Sequence, residues 1–217
     1  MGKVQMGILD GFVGKVGTVV GSFWKGKPVM RAYKRQISDA DSEAQQLVRT
    51  RFGAITSLAG AFHSAIILGF KEVAKRKKWT EGDIFVNENW GAVTADTPGA
   101  AVAAYSEMTI AKGNLPEAQF GAASFADPLE VSVPMTDSSG VIGADSHDNV
   151  YLFVYSPEAG AGMLSHAANR SDASIAIGVP AYWNGHRVHV WGFAIGAGTD
   201  NKGVISNSRY IGSGTIS

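Results

Sequence analysis

Residues 149–155 read NVYLFVY, a strand-period run with large apolar side chains on both faces. A strand that is apolar on both sides belongs at the centre of a sheet. Its surroundings supply neighbours. Pro128–Met135 alternates through Leu129, Val131 and Val133, and Asp137-Ser138-Ser139-Gly140 follows as a turn. Ser174–Val179 alternates again. Arg187–Ile195 reads RVHVWGFAI, with Val188, Val190 and Gly192 on one face and His189, Trp191 and Phe193 on the other. Gly203–Ile216 supplies one or two closing strands. From residue 117 onward the signals are strands and turns only. About six or seven short strands over about a hundred residues predict an antiparallel sandwich of immunoglobulin or fibronectin type at 117–217. The chain has no Cys, so it lacks the disulfide of a true immunoglobulin domain and offers no thiolate metal site or thiol nucleophile.

Residues 1–116 differ in character. After the polar break Ser38–Ser42, the pair Ser42 and Gln45 fits a capping box, with Glu43 in the first turn. Apolar residues then recur at three- and four-residue spacing from Ala44 through Leu47, Val48, Phe52, Ile55, Phe62, Ile66, Phe70 and Ala74. That period is helical. Gly53, Gly60 and Gly69 weaken it, and a kink or break near Gly60 is expected. Lys75–Lys78 reads as a solvated C-terminal end. Thr80 and Asp83 form a second capping-box pair, opening Glu81–Val93 as a short helix. Thr94–Ala100 reads as a loop broken at Pro98-Gly99, and Ala101–Ala111 as a strand stopped at Lys112-Gly113-Asn114. The expected fold class is therefore α+β: an N-terminal β-hairpin plus helices over 1–116, followed by the sandwich over 117–217.

The hairpin lies in Gly14–Arg35. Two apolar-rich runs, Thr18–Trp24 and Pro28–Arg35, flank Lys25-Gly26-Lys27. Val19 and Phe23 share one face of the first arm, Val20 and Trp24 the other. On the second arm Val29, Arg31 and Tyr33 alternate with Met30, Ala32 and Lys34. Large apolar groups on both faces, in a hairpin too small to be stable alone, require it to pack on its own chain or a neighbour. Residues 1–13 read as an arm that orders on docking. Gly21–Lys27 matches G-x-x-x-x-G-K, but Pro28 and a strand follow where a phosphate loop needs Ser or Thr and a helix.

Net charge is zero but unevenly divided. Residues 1–78 hold 14 basic and 5 acidic residues, a net +9, and residues 79–217 hold 5 basic and 14 acidic, a net −9. Opposite patches on one subunit suit head-to-tail contacts between copies. A basic segment also suits nucleic acid, here through Lys71–Lys78 and the hairpin. The N-terminus lacks the apolar core of a signal peptide, and no apolar run reaches spanning length. The expectation is cytoplasmic synthesis without membrane insertion, with a final location on a particle or outside the cell left open.

No catalytic constellation emerges, and no catalytic, cofactor-binding or metal-binding residue is expected. Asp145-Ser146-His147-Asp148 is the richest short cluster, yet it falls short of a calcium loop's oxygen ligands. His63 lacks a second ligand one turn away. His186 and His189 face opposite sides of a strand pattern. Ser165, His166 and Asp172 have the residue types of a triad, which prove nothing without geometry. Tyr182 and Trp183, in the turn Tyr182-Trp183-Asn184-Gly185, are candidates for a ligand platform, with Trp183 the better candidate for exposure.

The chain resembles an uncharacterised family of domains of unknown function frequent in Bacteroidota. The resemblance rests on Gly11-Phe12, on Gly14-Lys15-Val16-Gly17 with Val19-Val20-Gly21, and on Trp24-Lys25-Gly26. It is extended by Ala44-Gln45, by Tyr105 with Lys112-Gly113-Asn114-Leu115, by Asp148-Asn149-Val150, and by Ser206–Gly212, SNSRYIG. It implies an N-terminal hairpin-and-helix part with a C-terminal sandwich, and no activity. The functional expectation is a non-enzymatic structural protein that self-assembles as a homo-oligomer, a phage-like particle, tube or filament component in its concrete form. Its expected interface residues are Val20, Phe23, Trp24, Lys25, Lys27, Val29, Arg31 and Tyr33. The alternatives are a glycan- or protein-binding module using the sandwich loops and, secondarily, nucleic-acid binding.

Overall fold

The computed structural model describes residues 2–3, 12–24, 26–34, 41–126 and 128–217. The chain forms two compact units, residues 1–42 and 43–217. The first is a four-stranded antiparallel sheet of β1 (Gly2–Lys3), β2 (Gly14–Val16), β3 (Val19–Trp24) and β4 (Lys27–Ala32), ordered β1-β4-β3-β2. The expected hairpin is β3–β4, in register from Val19↔Ala32 to Trp24↔Lys27, and Gly26 at φ 73° supplies the left-handed turn residue. The two flanking strands make it a sheet, which the residue pattern of residues 1–16 had not suggested beyond an extended arm.

The second unit begins with helices. The apolar period predicted a helix from 43 to 78 with a break near Gly60. The chain forms α1 (Glu43–Ala61), α2 (His63–Gly69) and α3 (Lys71–Lys77), with an 83° bend between the first two and a further break before the third. The breaks fall at Phe62 and Phe70, both 0% exposed. The first break falls near Gly60, as expected, and the second adjoins Gly69, where a Cβ would come within 2.2 Å of Ile110 O; the buried Phe62 and Phe70 rings mark both turns. Then α4 (Glu81–Glu88) starts at the predicted capping box: Asp83 N–H donates to Thr80 Oγ1 at 3.1 Å, and Thr80 N–H to Asp83 Oδ2 at 3.3 Å. The expected loop 94–100 is part of a hairpin, β5 (Val93–Thr97) with β6 (Ala100–Ala103), and Pro98-Gly99 is its turn. The strand expected over Ala101–Ala111 ends at Ala103, where a 3-10 turn at Tyr105–Glu107 follows. No single helix among the described residues is long and apolar enough to cross a membrane.

The sandwich follows: β7 (Gln119–Phe120), β8 (Glu130–Thr136), β9 (Asn149–Ser156), β10 (Ala161–Leu164), β11 (Ala168–Asn169), β12 (Ser174–Gly178), β13 (Arg187–Ile195) and β14 (Arg209–Thr215). One sheet runs β10-β9-β13-β14, with β11 also on β9; the other runs β12-β8-β7. Every pairing within these sheets is antiparallel. The fold is α+β with an immunoglobulin- or fibronectin-like sandwich.

Both faces of the central pair β9–β13 are covered, by different layers. Val150, Leu152, Val154, Val188 and Val190 meet Val131, Val133, Ile175 and Ile177 of the second sheet in one buried cluster. Phe153, Tyr155, Trp191 and Phe193 point the other way, into a second cluster with Phe62, Ile66, Phe70 and Phe85 of the helices. Phe62 is its centre: its ring lies 4.8 Å from those of Phe153 and Tyr155, 5.3 Å from Trp191 and 5.6 Å from Phe85. Residues 43–217 are thus three layers, helices on sheet on sheet. The boundary expected at 116/117 falls inside this shared core, and the division into compact units lies after Ser42.

Candidate assembly surface

The N-terminal sheet carries most of the residues singled out as an interface. Strand register assigns its faces, because directly paired residues share a side. Val16, Val19, Gly21, Phe23, Pro28, Met30 and Ala32 fall on one face. Lys15, Val20, Ser22, Trp24, Lys27, Val29 and Arg31 fall on the other. One face is therefore apolar and the other basic with apolar residues between. On the apolar face Phe12 lies over Gly21, where a Cβ would come within 2.7 Å of its ring and 2.4 Å of its carbonyl oxygen. Only glycine lets this arm residue close onto the strand. Tyr33 continues the sheet edge: its N–H donates to Thr18 O at 2.7 Å, and Lys15 Nζ stands 3.7 Å above its ring.

Of the predicted interface residues, Val29 is buried, Val20 half-buried, and Lys27 and Arg31 exposed. Phe23 is 51% exposed, Trp24 59% and Tyr33 42%, joined by Val13 and Val16. Lys25 lies outside the described residues. Thus one sheet of a 42-residue unit leaves five large apolar side chains open while burying one, Val29, among the described residues. An apolar groove of about 480 Å³ runs between Phe12, Val16, Val19, Met30, Ala32 and Tyr33, with Arg31 at its side.

The second predicted platform is corrected. Trp183 is fully buried, and Tyr182 is the exposed residue at 66%. Both belong to a 3-10 turn, Ala181–Trp183, in which consecutive side chains point about 120° apart. Presenting Tyr182 to solvent therefore drives Trp183 into the inter-sheet cluster. A single exposed ring remains where two were expected.

The acidic cluster at 145–148 is built around a cation from the chain itself. Asp148 is fully buried and accepts from Arg170 Nε at 3.0 Å, Asp145 N at 2.9 Å, Asn201 Nδ2 at 2.9 Å and Ala197 N at 3.2 Å. Arg170, 1% exposed, also donates to Pro116 O, Glu117 O and Ser138 Oγ. The pair ties five loop segments together at one end of the sandwich. Nothing in the sequence around Arg170 marked it, since its partners come from distant turns. Among the described residues no group of three His, Cys, Asp or Glu side chains converges as a metal site.

Ser165 and Asp172, two of the three triad residue types, both bond backbone amides. Ser165 Oγ accepts from Leu152 N, and Asp172 from Asn169 N, while His166 is exposed. His186 Nδ1 lies 3.1 Å from Ser156 Oγ, and His189 Nδ1 lies 2.9 Å from Tyr210 Oη. Burial lowers the His189 pKa, with the nearby Arg187 charge adding to the effect and Glu158 opposing it. Burial also pushes the Tyr155 hydroxyl well above the usual tyrosine range, with Tyr105 and Glu158 reinforcing it. Tyr105, Tyr155, His189, Trp191 and Tyr210 pack ring against ring beside one another.

No curated protein matches the sequence. The solution structure of the fn3 domain of human collagen alpha-1(XX) chain is similar over 49% of this chain and 84% of its own, at 16% identity and a TM-score of 0.32. The motifs from Gly11 to Gly212 lie within one family alignment, and the chain belongs to that family, a family of unknown function (DUF6266) matched over residues 11–212.

Proposed function

We propose that this protein is a non-enzymatic structural subunit that self-associates through its N-terminal sheet, as part of a particle, tube or filament. The observation that supports this reading is the sheet itself: five open apolar side chains around one buried valine. Burying an exposed large apolar side chain contributes roughly 1.5–3 kcal/mol. Phe23 on one face and Trp24 on the other each offer part of such a gain, and copies stay together where the sum over the whole contact exceeds the association entropy. In this reading the source is bacterial, of the Bacteroidota, and the chain is made in the cytoplasm before joining its assembly. The test is the oligomeric state of the full chain as a function of concentration.

A second reading has its own observation. Lys15, Lys27 and Arg31 share the face of the sheet that carries Trp24, the mix of cations and an aromatic ring that suits single-stranded nucleic acid. Retention on DNA or RNA that falls steeply with salt supports it; salt-independent or absent retention rejects it. A glycan or protein ligand at the sandwich loops would rest on Tyr182 alone.

A further inference from the structure

The apolar face of the N-terminal sheet carries both halves of a contact. Along β3 it presents Val19, Gly21 and Phe23, directly opposite Ala32, Met30 and Pro28 of β4. At one end of this face Phe23 stands 51% exposed. At the other end lies the groove of about 480 Å³, between Phe12, Val16, Val19, Met30 and Ala32. Clefts of that size accept whole small ligands, so a phenyl ring fits. Val19 and Phe23 are four residues apart on one strand, which sets ring and groove about 13 Å apart on the same face. Gly21 lies midway between them, and Met30 is its direct partner on β4.

Charge narrows the occupant. Residues 1–42 hold 7 basic and 3 acidic residues. Strand register puts Lys15, Lys27 and Arg31 on the opposite face, with Val20 and Val29. On β2, β3 and β4 the apolar face includes no charged residue. A charged partner therefore finds no counter-ion there, whereas a second neutral apolar face meets it without desolvating an ion. A second copy supplies such a face, with ring and groove at the matching separation. We propose that two copies stack their apolar faces about a two-fold axis crossing the strands at Gly21 and Met30, so that Phe23 of each enters the groove of the other. The axis lies between the two sheets, and turning about it exchanges the ends of β3, which sets ring against groove twice. This inference rests on the self-association reading and specifies its contact, which joins the first unit of one copy to the first unit of the other. Lys15, Lys27 and Arg31 then line the outer faces of the pair. An isologous contact closes at two copies. Growth beyond two needs a second contact between pairs, which the +9 and −9 charges of residues 1–78 and 79–217 suit.

Cross-linking tests the arrangement. The chain has no Cys, so an introduced thiol is unique. Stacked sheets lie about 10 Å apart, too far for a direct disulfide, so a short bis-maleimide reports the contact. Variants are purified as full chains and checked for wild-type circular dichroism. Met30→Cys, whose two copies face each other at the axis, is expected to cross-link as a dimer. Lys27→Cys and Arg31→Cys, on the outer faces, are expected not to. An equimolar mixture of Pro28→Cys and Ala32→Cys is expected to cross-link more readily than either alone, because the axis sets each opposite the other. In sedimentation equilibrium Phe23→Ser is expected to weaken pairing by about tenfold to a hundredfold, since each pair loses two rings. Trp24→Ser, on the other face, is expected to leave it unchanged. A wild type that associates while Met30→Cys fails to cross-link, or a Phe23→Ser chain that pairs at wild-type strength, would overturn this contact and leave association through the sheet standing. Equal yields from the mixture and from its members alone would overturn it too. A wild type that stays monomeric at every concentration removes the underlying reading and this contact with it.

Discussion

Arg170 shows how a single residue can organise a region while remaining invisible in the sequence. It is buried with Asp148, and both use nearly all their hydrogen-bonding capacity on each other, on loop backbone and on the side chains of Ser138 and Asn201. Removing one partner of a buried ion pair strands the other's charge, a cost of about 3–5 kcal/mol. Arg170→Ala is accordingly expected to lower unfolding free energy by about that amount in urea titration, and a change below about 1 kcal/mol would show that the loops hold without it. His189 gives a pH dependence. Its folded pKa is lowered below the ordinary 6.5 by burial and Arg187, so the unfolded chain takes up the proton first. Stability is full above about pH 6.5 and falls as pH drops, until the folded-state histidine itself protonates. His189→Gln is expected to flatten that part of the stability-versus-pH curve; an unchanged slope would assign it elsewhere. The same scale explains why Trp183 was misplaced. The tetrapeptide Tyr-Trp-Asn-Gly signals a turn, but which ring faces inward depends on the phase of a 3-10 turn that composition does not encode.

Among the elements, strands were the most legible. The two-sided apolar pattern of NVYLFVY and the alternation of RVHVWGFAI match a pair packed by helices on one side and by a second sheet on the other. Capping chemistry marked α4 correctly, because Thr80 and Asp83 are three residues apart and reciprocal. The long helix was less legible. The break near Gly60 was legible and falls at Phe62; the one at Phe70 was not, because the apolar period continues through it and the close approach of Gly69 to Ile110 is a tertiary contact. Phe62→Ala is expected to cost about 3–5 kcal/mol, as large-to-small changes at closed sites do; a cost under about 1 kcal/mol in a denaturant melt would mean that the core closes over the gap. The extra strands β1 and β2 escaped notice for a different reason. At two and three residues they are shorter than the runs from which alternation can be read.

For the whole molecule, two facts bear on assembly: a helix-sheet-sheet body with closed cores, and a small N-terminal sheet that leaves apolar residues open. The candidate interface was readable because Phe23, Trp24 and Tyr33 sit on a hairpin too short to cover them. The most direct measurement of the central claim is sedimentation velocity on the full chain across concentration and salt, with Phe23→Ser/Trp24→Ser alongside. The expected result is a sedimenting mass above one chain that grows with concentration, diminishes in high salt as screened opposite charges would, and reverts to a single chain in the variant. A wild type that sediments as one chain at every concentration, or a variant that assembles as well as wild type, would contradict it.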